Sequence, residues 1–176
     1  MPAFRPMAPY LRPHVADRVL PVFYRSTILR RAVLSLPAGS RLRRTLMARL
    51  FGWSYRRFNT TGKVPSAVFC PKAELTQTGA LIDTAGTFHG RDGVDQALAE
   101  LREAFEGVRF EPERVAELPD DRFLYMVRFQ ASGRASGVSI DRIVGHLFEV
   151  QGGCAARWGI YWEESDALKA AGMPPG

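Results

Sequence analysis

The sequence predicts an α+β fold: a cone-shaped, curved antiparallel sheet wrapped around N-terminal helices. Three observations carry that prediction. First, the stretch Arg122 to Glu164 divides into three long runs, Arg122–Ala131, Val138–Val150 and Cys154–Glu163, joined by glycine-rich turns at 132–137 and 151–153. Glycine supplies the positive φ angles that tight hairpins need. Second, Val94, Ala97, Leu98, Leu101 and Phe105 recur at the spacing of one helix face. Third, helix-patterned segments come first and strands last, an α+β order.

The elements follow in chain order. Met1–Pro13 holds four prolines and no periodicity, so it is expected to be disordered or loosely laid on the surface. Asp17 to Leu36 reads as one helix with Pro21 tolerated in its first turn, and 36–40 as a break that ends on Ser40 as an N-cap. Arg41 to Asn59 is the next helix, bent at Gly52, with Leu42, Leu46, Leu50, Trp53 and Phe58 inward and Arg43, Arg44, Arg56 and Arg57 outward. A short helical piece, Val64–Phe69, stops at Pro71, and Ala73–Gln77 is the first strand. Asp83 to His89 reads as a loop with a short extended segment. The clearest helix opens at Gly90 or Asp92 and ends at Gly107. Val108–Leu118 is a strand, residues 119–121 turn into the three-strand meander, and 165–172 is a closing helix.

Length and composition set outer bounds. The chain of 176 residues suffices for one domain with some chain to spare. No apolar run approaches the ~18–20 residues of a membrane-spanning helix, and Met1–Pro13 lacks the apolar stretch of a secretory signal. Cys70 and Cys154 are the only cysteines, and no Cys/His cluster has zinc spacing. A cytoplasmic location with free thiols is the default, with one disulfide left open; no metal or cofactor is implied. Charge is uneven. Residues 1–63 carry +12 and the remainder −6, within a total of +6. Such a basic region can dock on its own domain or on a partner, or stay solvated. Contact with nucleic acid or an anionic membrane is disfavoured, because no recognition motif accompanies the charge.

Strand alternation puts Arg142, Val144, His146, Phe148 and Val150 on one face, and Trp158, Ile160 and Trp162 on one face of the last strand. That surface is either packed core or the wall of a small-molecule pocket, which wants apolar area with few polar groups.

Several local motifs resemble the nuclear-transport-factor-2-like superfamily, and within it the SnoaL-like branch, an α+β roll of cystatin-like type. Residues 58–63, Phe-Asn-Thr-Thr-Gly-Lys, resemble the family's helix-ending turn. Residues 88–94, Phe-His-Gly-Arg-Asp-Gly-Val, resemble its lead-in to the third helix; 153–162 resemble its last hairpin and strand, and 165–172 its Ala-rich tail. The resemblance spans about 41–172, leaving a basic, partly helical N-terminal extension over 1–40 and a tail over 173–176. It implies a dimer, through a convex sheet face carrying Tyr125, Val127 and Phe129.

The fold hosts many chemistries, so the site has to be argued residue by residue. On the steroid-isomerase pattern, Tyr55 falls at the oxyanion tyrosine, and His146 at or next to the second donor, with Gly145 as the competing match. Gln77 stands where the carboxylate base belongs, and an amide does not accept that proton at useful rates. On the cyclase and epoxide-hydrolase patterns, Ile160 stands where the last-strand Asp belongs, and Arg128 has no matching acid beside it. The candidate catalytic pair is therefore His146 and Tyr55. Trp53, Phe58, Gln77, Phe148, Trp158, Ile160 and Trp162 are the candidate pocket lining. Asp83 and His89 flank a loop over the mouth, and Asp141, opposite His146, meets solvent or Arg134. The preferred reading is an apolar binding domain for a small hydrophobic molecule. Two alternatives stay open: an isomerase- or cyclase-type enzyme acting through His146 and Tyr55, and a dimeric scaffold with a basic arm.

Overall fold

In a computed structural model that describes residues 3–78 and 86–174, one seven-stranded sheet curves around the long central helix. The N-terminal segment supplies β1 (Arg5–Pro6), α1 (Ala8–Leu11), a 3-10 turn (Val15–Arg18), α2 (Leu20–Arg25) and α3 (Thr27–Leu34). Then come α4 (Arg41–Thr61), a second 3-10 turn (Ser66–Val68), β2 (Phe69–Thr78), β3 (Gly86–His89) and α5 (Gly90–Ala104). The chain closes with β4 (Phe105–Leu118), β5 (Arg122–Gly133), β6 (Ser139–Gln151), β7 (Cys154–Tyr161) and α6 (Glu164–Ala171). Strand order is β1-β4-β5-β6-β7-β2-β3. All neighbours are antiparallel except β2 and β7. Asp83 lies outside the described residues.

Five expectations are corrected, each for a local reason. The helix expected over Asp17 to Leu36 breaks at Ser26, which is extended (φ −93°, ψ 106°) and accepts the Leu29 N–H to cap α3. Residues 5–11 are not loose. Arg5 and Pro6 pair with Val115 and Arg114 at the sheet edge, and Met7 is fully buried, its N–H donating to the Glu113 carbonyl at 2.8 Å. An edge strand offers unpaired backbone groups, and this arm covers them. Pro71 does not stop an element; β2 runs through it, where the pairing with β7 is irregular between Phe69 and Glu74. There the missing N–H costs no ladder bond. Gly107 does not end α5, which stops at Ala104; it sits inside the β4 irregularity between Glu106 and Arg109. Finally, α4 runs unbroken through Gly52. That glycine serves close approach instead: a Cβ there would lie 2.8 Å from the Tyr10 carbonyl oxygen.

The N-terminal segment is held down by arginines of its own and of α4. Arg43, buried in α4, donates to the Leu34 carbonyl at 2.8 Å and pairs with Glu117 at 2.8 Å and with Asp121. Arg56 donates to the Tyr10 carbonyl at 2.9 Å and pairs with Asp17. Arg30 and Arg31 reach the carbonyls of Gly153 and Gly152 in the β6–β7 turn. Much of the basic excess therefore docks on the chain's own domain.

The sheet has two apolar faces. On the concave face, Phe123, Tyr125, Val127, Phe129, Val144, His146, Phe148, Trp158 and Ile160 close on α4 and α5. On the convex face, Leu124, Met126 and Leu147 lie under Ala167, Leu168 and Ala171 of α6. This corrects the surface expected for a dimer. Tyr125, Val127 and Phe129 are fully buried inside the cone, because Tyr125 is the cross-strand neighbour of His146 and Val127 that of Val144. Residues directly opposite in a ladder share a face.

The thiols are also corrected: Cys70 and Cys154 form a disulfide tying the start of β2 to the start of β7. Bonded cysteines remove the ground on which a reducing cytoplasm was expected. No helix among the described residues is long and apolar enough to cross a membrane.

Candidate functional site

The two candidate residues do meet. Tyr55 sits on the buried side of α4, whose N-terminus is capped by Ser40 accepting from the Arg43 N–H. His146 sits mid-β6 on the concave face. The Tyr55 hydroxyl lies 2.8 Å from His146 Nδ1, inside the core. With the imidazole proton on Nε2, the phenol donates and Nδ1 accepts. His146 is paired across the sheet with Ile160 on one side and Tyr125 on the other, and Ile160 is paired with Gln77. Gln77, Ile160, His146 and Tyr125 thus form one transverse row on the concave face. The two positions where a family base or nucleophile was sought are neighbours in it, and neither is a carboxylate.

Of the two adjacent residues considered for the second donor, one faces the core. Gly145 faces the other side, where a Cβ would lie 2.1 Å from the Ala167 Cβ of α6. His146 is the residue that looks inward.

The interior differs from the hollow the sequence suggested. The His146 ring is enclosed by Phe110, Trp158, Tyr55 and Phe148, with centroids at 5.1, 5.3, 5.8 and 6.4 Å. Phe51 packs on Tyr125 and Phe148 at 4.7 and 4.9 Å, and Phe129 on Phe110 and Trp162 at 5.3 and 5.1 Å. The rings fill the cone's centre. Among the described residues, two adjoining clefts of about 50 and 30 Å³ remain beside the rings and share Phe51, Ser54 and Val68. The smaller is walled by Tyr55, Phe58, Phe110, Phe148 and Trp158, and both reach toward the surface at the half-exposed Val68.

Burial sets the electrostatics. Desolvation drives the His146 pKa down to about 3 and pushes the Tyr55 and Tyr125 phenols well above their ordinary value. Near neutral pH the dyad is an uncharged imidazole and an uncharged phenol, a pair suited to hydrogen bonding. An imidazole that weakly basic is a poor general base. In the ring cluster around the dyad, His146 Nε2, the Tyr125 hydroxyl and Trp158 Nε1 are buried with no partner among the described residues.

Of the expected lining, Phe58, Phe148 and Trp158 stand in the cleft wall. Gln77, Ile160 and Trp162 are buried behind it. Trp53 faces away, stacked on Tyr24 at 4.8 Å under the Arg57 guanidinium. His89, largely exposed, lies 4.0 Å from Glu74. Asp141 pairs with Arg128 at 3.1 Å, whereas Arg134 pairs with Glu106; so Arg128 does have acids beside it, Glu113 as well as Asp141, but on the outer face. Phe51, Phe110 and Tyr125 were missed as site residues. Strand parity would have found Tyr125, because it must face as its neighbour His146 does. No group of His, Cys, Asp and Glu among the described residues could hold a metal ion.

No family model matches the sequence, and no curated protein is similar to it. Solved structures are similar in fold. A Catenulispora acidiphila protein with a ketosteroid-isomerase-like fold, in complex with trimethylamine, superposes with a TM-score of 0.53 at 14% identity, over 69% of this chain and 91% of its own. TerC, co-crystallised with polyporic acid, gives 0.53 at 18% over 67% and 91%. An NTF2-like protein of unknown function from Burkholderia pseudomallei gives 0.52 at 18% over 67% and 91%. The chain therefore has the fold of NTF2-like and ketosteroid-isomerase-like proteins.

Proposed function

We propose that this chain binds a small, uncharged, apolar molecule bearing one acceptor oxygen, in the paired clefts beside Tyr55, without turning it over. The observation that carries the reading is the smaller cleft's wall of aromatic side chains, among them Trp158, whose buried indole N–H has no protein partner. A buried unsatisfied donor costs about 1–3 kcal/mol, and a ligand carbonyl or ether oxygen would recover that. A binder is favoured over an isomerase because Gln77 and Ile160 occupy the positions where a base would stand and His146 is held neutral. Size limits the ligand. A cavity of ~150 Å³ is what benzene occupies in an engineered core, and the clefts here total less, so the ligand has few heavy atoms or protrudes past Val68. Trimethylamine, bound by the similarly folded Catenulispora protein, is a molecule of that size.

The test uses the whole chain with cyclopentanone as probe, followed by ligand-observed NMR and by Trp fluorescence. Binding is expected in the wild type and is expected to be lost in Val68→Trp, which plugs both clefts from their half-exposed rim. Equal binding in that variant, with its fold intact by circular dichroism, would remove the cleft as the site.

A further inference from the structure

Among the described residues, a cavity larger than the two interior clefts opens at another side of α4. It lies between the N-terminal arm, the first half of α4 and strands β4 and β5, with a volume of about 530 Å³. That is the size of a small-molecule site and an order of magnitude beyond the interior clefts. Phe123, Tyr125, Met47 and Ala48 back it and are themselves buried, and the half-exposed Tyr10 and Val115 give it apolar surface. Its outer part carries three guanidinium groups, Arg5, Arg41 and Arg44. None of the three has a carboxylate within ion-pair distance among the described residues. Among the described residues the one acid in the wall is Glu117, and Arg43 compensates it at 2.8 Å. The cleft is therefore apolar at one end and positively charged at the other. The positive end of the α4 dipole, at Arg41, adds to that field.

We propose that this cleft is a second binding site, for an amphipathic carboxylate: an apolar body lying against Tyr10 and Val115, with the acid group taken by Arg41 and Arg44. Guanidinium pairs with carboxylate through two parallel N–H···O bonds, which gives direction as well as strength. The arm is part of the site, since Arg5 stands in its wall and β1 holds Arg5 in place by pairing with Val115. The cleft shares Met47 with the larger interior cleft but not Val68, the residue at the rim of both interior clefts.

The probe is dodecanoate, titrated calorimetrically into the whole chain, with decanol and inorganic phosphate as comparison ligands. Dodecanoate is expected to bind, and the Arg41→Ala/Arg44→Ala double variant is expected to weaken it about tenfold or more, as loss of a charge-assisted pair does. A second variant, Thr45→Trp, fills the cleft while keeping every arginine, and is expected to abolish binding. Val68→Trp, which blocks the cone clefts, is expected to leave dodecanoate binding unchanged. Undiminished binding in both the double variant and Thr45→Trp would overturn the proposal. So would decanol binding as tightly as dodecanoate, or phosphate competing at equal concentration, since the first needs no charge recognition and the second no apolar end.

Discussion

Tyr55 Oη and His146 Nδ1 are 2.8 Å apart in a core where neither residue meets water appreciably. Their elements are far apart in sequence, and only the wrapping of β6 over α4 brings them together. The contact has two consequences. It ties the imidazole tautomer to the direction of the bond: a phenol that donates to Nδ1 leaves the proton on Nε2. It also holds a titratable group at a depth where its charged form is strongly disfavoured.

That depth makes stability depend on pH. The His146 pKa is lowered from its ordinary value of 6.5 to about 3 in the folded chain. Above about pH 6.5 the imidazole is neutral in both states and contributes nothing. Below it the unfolded chain takes up a proton that the folded chain refuses, so stability falls by about 1.4 kcal/mol per pH unit and levels off near pH 3. Urea unfolding at about pH 7.5 and about pH 5 is expected to show a loss of about 2 kcal/mol from this residue. His146→Phe is expected to lack that slope. An identical slope in both proteins would place the linkage elsewhere.

Removing only the phenol hydroxyl should be costly, whereas removing both partners should not. Tyr55→Phe leaves His146 Nδ1 buried without a donor, at a cost of about 1–3 kcal/mol. In Tyr55→Phe/His146→Phe no orphan remains, and the double variant is expected to be about as stable as the worse single variant or better. A double-mutant cycle from urea melts reads the coupling; additive losses would show that the hydrogen bond contributes nothing.

The sheet was legible in the sequence because alternation and turn glycines are local signals. The runs 122–131, 138–150 and 154–163 became β5, β6 and β7 with ends shifted by a few residues. The Tyr55–His146 meeting was readable only through resemblance to a family, since no local pattern reports a contact between a helix and a strand. What failed depended on tertiary context. Pro71 reads as a stop until an irregular ladder absorbs it. Met1–Pro13 reads as loose until the open edge of β4 is there to receive it. The exposed dimer face was an error of parity: Tyr125 and His146 are paired, so one cannot face outward while the other faces in. The filling of the cone could not be read at all, because ring packing depends on the sheet's curvature, and an alternating pattern carries no measure of that.

Reduction is expected to loosen the whole sheet. The Cys70–Cys154 bond spans 84 residues and holds the lone parallel pairing, β2 on β7. Closing a loop of that length restricts the unfolded chain, worth roughly 3–5 kcal/mol in the loop-entropy account. Cys70→Ala/Cys154→Ala is expected to unfold at correspondingly lower urea, and dithiothreitol is expected to lower the wild type toward the variant while leaving the variant unmoved. A wild type indifferent to reductant would mean that the two thiols are not bonded in solution.

Gly145 is the point at which the sheet's two sides compete for space. Its inward neighbours across the strand are occupied by the ring cluster, and on its outward side α6 lies so close that a Cβ would sit 2.1 Å from the Ala167 Cβ. Neither atom is the end of a flexible chain, so Gly145→Ala can be accommodated only by lifting α6. Ala167, Leu168 and Ala171 cover Leu124, Met126 and Leu147, and shifting that cover exposes apolar surface at about 25 cal/mol per Å². The expected cost is about 1–3 kcal/mol, as for other overpacked cores. Because α6 is C-terminal and joined only by residues 162 and 163 to β7, the loss is expected to be local first. Hydrogen exchange should quicken in residues 164–171 and along β6, while the Tyr55–His146 side keeps its protection. Combining Gly145→Ala with Ala167→Gly removes the clash and is expected to restore exchange at β6. If the single variant exchanges like the wild type, α6 does not pack where the structure puts it.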